Sequence, residues 1–116
     1  MNEAQIALAR RAVACKGWRW MPGMLAHFEH DGRSVRVGMP DAWASTTALP
    51  DLTDPATLGC LLALVREHHK EPRLAVVPTG KGWSVSRVWL RSPHDRVAGV
   101  HTLEAEALVA ALQAAP

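Results

Sequence analysis

At 116 residues, 48% hydrophobic and 21% charged, the chain has the size and balance of one globular domain with a single core, residues 1–116. A net charge of +2 falls short of the concentrated Lys and Arg of a dedicated nucleic-acid binder. No run approaches the roughly 20 apolar residues of a membrane span, and Glu3 ahead of Arg10-Arg11 reverses a secretory signal, so a cytoplasmic protein off the membrane is expected.

Glu3 to Cys15 reads as a first helix. Ile6, Ala9 and Val13 form one stripe, Leu8, Ala12 and Cys15 widen it, and Gly17 stands where a left-handed cap would end it. Trp18-Arg19-Trp20-Met21 follows as a dense apolar cluster, closed by the Pro22-Gly23 turn. Two readings stay open there: Trp18 and Trp20 seal one end of the core, or they form a recognition surface, where Trp and Arg supply most binding energy. Leu25 to His30 and Arg33 to Val37 flank Asp31-Gly32, the pair that suits a two-residue type I′ hairpin turn. Asp41 to Thr53, with Trp43, reads as a connecting loop.

The most apolar helix comes next. Asp54 is placed to cap it, Pro55 suits its first position, and Leu58, Leu61, Leu62 and Val65 recur at i, i+3, i+4, i+7, with Cys60 and Leu64 widening the stripe. Thr57, Gly59, Arg66, Glu67 and Lys70 make its polar edge. Glu71-Pro72 ends it, and Arg73 to Val77 reads as a strand that turns through Pro78 to Gly82. Trp83 to Arg91 alternates strongly, with Trp83, Val85, Arg87, Trp89 and Arg91 on one face and Ser84, Ser86, Val88 and Leu90 on the other. Arg96 to Val100 can add a short strand. Thr102 is placed to cap a last helix, Leu103 to Ala115, with Ala105, Leu108, Val109 and Leu112 inward.

The expected fold is α+β in the order α-β-β-α-β-β-(β)-α. One antiparallel sheet of four to five strands in two hairpins is packed by three helices on one face. The other face, lined by His27, Glu29, Ser84 and Ser86, is left to water or a partner.

Chemistry is hard to find. His27 and His30 fall on opposite faces of a strand, His68 and His69 point apart on a helix, and no HExxH or CxxC spacing calls for a metal. Thr79-Gly80-Lys81-Gly82 lacks the frame of a phosphate loop, and no serine lies in a nucleophile elbow. Cys15 and Cys60 read as buried, reduced thiols. The expectation is a non-enzyme with no catalytic, metal or cofactor residues. Its candidate interaction surface is Trp18, Trp20, Trp43, Arg87, Trp89 and Arg91, and its apolar surplus favours a homodimer over a monomer.

The segments WRWMPGM, LPDLTDPATLGCLLALVRE and LEAEALVAALQAAP resemble those of short uncharacterised proteins encoded by tailed bacteriophages and prophages. The resemblance implies phage or prophage origin and brings no fold, catalytic motif or cofactor. It points to a small accessory protein acting in the host cytoplasm by contact with a host or phage protein, inhibition of a host defence system being one version. Two alternatives remain: a nucleic-acid-binding accessory module using the Trp/Arg face with Arg33, Arg36, Arg73 and Lys81, which would bind more weakly as salt rises, and an enzyme.

Overall fold

Helix α1 (Glu3–Val13) starts where the Asn2 side chain accepts the Gln5 N–H and the Gln5 side chain accepts the Asn2 N–H, a reciprocal cap. Leu8, Ala9 and Ala12 form its buried centre, and Ile6 and Val13 lie on the flanks. The helix ends at Ala14 in right-handed geometry, so Gly17 does not cap it. Gly17 serves close packing instead: a Cβ there would fall 2.7 Å from the His68 ring. This computed structural model describes residues 1–43, 47–87 and 95–116.

Strands β1 (Leu25–His27) and β2 (Ser34–Arg36) pair antiparallel, as the residues flanking Asp31-Gly32 require. The turn itself differs from the two-residue expectation. Phe28 N–H bonds Arg33 O, the Asp31 carboxylate accepts the Arg33 N–H, and only Gly32 has positive φ (+70°). A type I′ turn needs positive φ at both central residues; Asp31 is held instead by its own side-chain bond, and the loop widens to four residues.

The stretch after β2 holds more structure than a loop. A 3₁₀ turn covers Pro40–Trp43, and β3 (Leu49–Pro50) pairs with β1, giving a first sheet in the order β2-β1-β3. Two residues cannot show a period. Pro50 is tolerated because β3 is an edge strand with no further partner to bond.

Helix α2 (Pro55–His68) begins as its residues dictate, with Pro55 in the first turn and Asp54 accepting the Thr57 N–H at 3.0 Å. Its buried residues are Thr57, Leu61, Leu64 and Val65, while Leu58 and Leu62 are half-buried. Thr57, expected on the polar edge, is fully buried. Its hydroxyl accepts the Leu25 N–H (2.8 Å) and donates to Asp54 (2.9 Å). A buried strand N–H needs an acceptor, and meeting that need turns the helix so that Thr57 faces in. Arg36 of β2 closes the network, giving two bonds to the Asp54 carboxylate at 2.6 and 3.2 Å.

Asp54→Ala therefore removes more than a cap and should cost about 2 kcal/mol, the upper end of cap losses. The Arg36 guanidinium, and after it the Thr57 hydroxyl and N–H, hold the Asp54 carboxyl below its ordinary 3.8. Hydrogen bonds from Arg73 likewise bring Glu71 down to about 2. A depressed folded pKa gives stability that is complete above the ordinary pKa and is lost as pH falls through the lowered one. Urea midpoints should thus fall below about pH 4 and keep falling towards about pH 2. A midpoint that holds steady through that window would mean these carboxylates titrate alike folded and unfolded.

The end of α2 is a Schellman motif: Lys70 N–H bonds Glu67 O and Glu71 N–H bonds Arg66 O. Its left-handed position, usually glycine, is filled by Lys70 at φ +54°. Lys70→Gly should raise stability by about 1 kcal/mol, the cost of a side chain in that conformation. A lower melting temperature would show that Lys70 makes a contact worth more.

Strands β4 (Leu74–Thr79), β5 (Gly82–Arg87) and β6 (Arg96–His101) form a second antiparallel sheet in that order. A bulge at Ala98-Gly99 shifts the β5–β6 register, with Ala98 at φ +61° and Gly99 at +79°. The architecture is α+β. The expected single sheet of four to five strands is, among the described residues, six strands in two sheets of three. The expected open serine face is absent too. Ser84, Val85 and Ser86 are all 0% exposed, so both faces of the central strand are covered there. Helix α3 (Glu104–Gln113) packs on β5, β6 and α2 and buries Ala105, Leu108, Val109 and Leu112 as expected. Its cap position is Leu103, one residue past Thr102, with no side-chain acceptor; the Glu106 carboxylate accepts the Leu103 N–H instead. Buried residues of all three helices and both sheets join one core cluster. Among the described residues no helix is long and apolar enough to cross a membrane.

Candidate functional site

The segment after α1 turns through hydrogen bonds from Cys15 N–H to Ala12 O and from Trp18 N–H to Cys15 O. It then runs without regular secondary structure to the turn at Gly23, φ +96°, a geometry that side chains rarely adopt. That path lays Trp18 and Trp20 side by side, ring centroids 5.4 Å apart and planes 80° apart. The 3₁₀ turn Pro40–Trp43 brings a third indole to 5.7 Å from Trp20, and Phe28, just after β1, stands 5.7 Å from Trp43. His30 continues the run at 5.8 Å from Phe28, and the Arg33 guanidinium sits over the Phe28 ring at 5.3 Å. Edge-on and tilted contacts of this kind are the favourable geometries for aromatic pairs.

The core-sealing reading holds for Trp20, and the other two rings are left partly exposed. Trp20 is 8% exposed and belongs to the core, whereas Trp18 and Trp43 are half-buried against it. The three rings line a cleft of about 620 Å³. Its buried lining includes Trp20, Ala48 and Leu49, and its exposed lining includes Arg19, Asp41 and Thr47. Met39, next in sequence to Pro40 of the lining, is 75% exposed, more than any other large apolar residue described. The two charges differ in state. Arg19 is paired with Glu67, whose carboxyl that guanidinium lowers, while Asp41 has no hydrogen-bond or ion-pair partner among the described residues.

Among the described residues, Arg87 is the remaining candidate, and it does not line this cleft. Arg87 ends β5 in the other sheet, held with Arg73 on the Glu71 carboxylate, and Trp89 and Arg91 lie outside the described residues. Trp83 shares the Arg87 face but packs half-buried on the core. Part of the basic set expected for nucleic acid is paired: Arg33 lies 3.8 Å from Asp31, Arg36 binds Asp54, and Arg73 and Arg87 share the single carboxylate of Glu71. A guanidinium already on a carboxylate releases few counterions when it meets a phosphate.

Reactive groups are placed for structure. His69 Nε2 donates to Ala111 O at 2.7 Å, and His101 Nε2 to Ala98 O at 2.7 Å inside the bulge. Cys15 lies beyond α1 and Cys60 within α2; both are free and half-exposed, where full burial was expected. Cys15 and His68 line one cavity of about 480 Å³. Burial pushes both thiols up, which keeps them protonated and weakly nucleophilic near neutral pH. Among the described residues no three His, Cys, Asp or Glu side chains converge as metal ligands.

Sequence reasoning missed Phe28 and Asp41 as members of the site, and the exposure of Met39 next in sequence to it. Asp41-Ala-Trp43 carries no periodicity, and its place beside Trp20 depends on β3 pairing with β1, 22 residues or more along the chain. No protein-family model, curated protein or solved structure matches this chain.

Proposed function

We propose that this chain is a small, non-enzymatic phage or prophage accessory protein that works in the bacterial cytoplasm by binding another protein through the tryptophan cleft. The phage origin rests on the sequence resemblance. The contact role rests on one observation: Trp18 and Trp43 stand half-exposed on a buried Trp20 around an open cleft, with the exposed Met39 next in sequence to Pro40 of its lining. Tryptophan contributes heavily to interface energy, and a ring already packed against the core loses little freedom on binding. Inhibition of a host defence protein by occlusion is one form such contact takes. The paired arginines favour this reading over nucleic-acid binding.

Capture from host lysate tests it. The wild-type chain should retain a host protein, and Met39→Asp and Trp43→Ala should each weaken retention at least tenfold while keeping the wild-type circular dichroism; a loss of that size is what removing a central anchor does. Met39 is exposed enough that its replacement leaves the fold alone. Equal retention by both variants would move the binding face elsewhere. Self-association competes for the same surface, so light scattering accompanies the capture. A mass near 12.6 kDa at every concentration leaves the cleft free, and twice that mass, abolished by Met39→Asp, makes a second copy the occupant.

A further inference from the structure

We infer that the tryptophan cleft is built for the ammonium group of a partner's lysine side chain, with Trp18, Trp20 and Trp43 as walls and Asp41 as counter-charge. The inference deepens the proposed protein-contact role and rests on it. Indole faces carry negative potential and attract cations, Trp most strongly of the aromatic residues. Trp18 and Trp20 meet at 80°, so a group in that corner touches two ring systems at once, and Trp43 supplies a third. A compact ammonium on an apolar stem suits such a corner, whereas a planar guanidinium stacks on a single face.

Charge selects the same ligand. Asp41 lines the cleft without a partner among the described residues, and Arg19, the cation of the same lining, is paired with Glu67. An anionic ligand would meet an uncompensated carboxylate. A neutral apolar group would bury Asp41 with nothing to pair it, which is costly. A cation answers both. The same run of rings already holds one at its far end, where Arg33 sits 5.3 Å over Phe28. At the Trp18–Trp20–Trp43 end the only described cation of the lining is Arg19, held by Glu67.

The test is a titration followed by the five indole N–H signals in a ¹H–¹⁵N spectrum. The probes are capped glycyl-lysyl-glycine and the same peptide with norleucine, which keeps the stem and lacks the ammonium. The lysine peptide should shift the Trp18, Trp20 and Trp43 signals saturably at millimolar concentration, with the norleucine peptide at least about threefold weaker, as a cation on exposed rings implies. Asp41→Asn should reduce lysine binding about threefold or more and leave norleucine binding unchanged. Equal binding of the two peptides, no saturable shift, or tighter binding of the arginine peptide or free choline overturns the inference. Lysate capture that is lost in Met39→Asp, together with a silent lysine peptide, would remove the lysine anchor and leave the protein-contact role standing. Saturable lysine binding with no captured protein would do the reverse.

Discussion

Gly82→Ala should lower stability by about 2–5 kcal/mol, among the largest losses expected of any single substitution in this chain. Gly82 opens β5 at φ +142°, a backbone geometry that side chains rarely adopt. A Cβ there would stand 2.2 Å from the His101 carbonyl oxygen. That atom belongs to backbone, and Trp83 pairs with His101 in the same register, so neither strand can retreat without losing the β5–β6 ladder. Strain of about 1–2 kcal/mol from the dihedral adds to about 1–3 kcal/mol of overpacking. Against a typical total of about 5–15 kcal/mol that is a large share. Gly80→Ala, two residues away in open space and without positive φ, is the control and should change stability by less than about 0.5 kcal/mol. Urea melts of both variants decide the matter. A Gly82→Ala midpoint equal to that of Gly80→Ala would mean the β5–β6 approach is looser than described.

The second large effect separates two neighbouring leucines of α2. Leu64 is 0% exposed and Leu62 only half-buried beside a shallow groove shared with Leu58 and Val76. Leu64→Ala should cost about 3–5 kcal/mol, because the transfer energy is lost and the packed surroundings cannot close the cavity. Leu62→Ala should cost about half as much, since part of that side chain is already in water and the gap opens outward. The apolar spacing on its own would put Leu62 in the core stripe. A larger loss at Leu62 than at Leu64 would restore that reading and place Thr57 back on the surface.

The three helices were legible because their signals are local. Ile6, Ala9 and Val13 recur at the helical period in α1, Asp54 and Pro55 start α2, and Leu108, Val109 and Leu112 recur in α3. The β1–β2 and β4–β5 pairings were legible because short loops return a strand antiparallel to its neighbour, whereas the partner of the last strand was not. Half of the candidate site was legible as well. Trp18 and Trp20 are two residues apart, and their clustering shows in the chain itself. Trp43 could be named as a candidate but not placed.

What residue pattern determined here is therefore each element's existence and the face a helix or strand would bury if nothing else intervened. What only the tertiary structure decided is which contacts override that preference. Leu25 has a buried N–H that needs an acceptor, so Thr57 turns inward and Leu62 outward. Leu49-Pro50 becomes a strand only because β1 offers an unpaired edge, and that pairing splits the strands into two sheets and swings Trp43 onto Trp20. Local propensity is set within a few residues, while hydrogen-bond satisfaction and ring packing are settled between segments far apart in sequence. For that reason the cleft, and Asp41 within it, emerge only once the chain is folded.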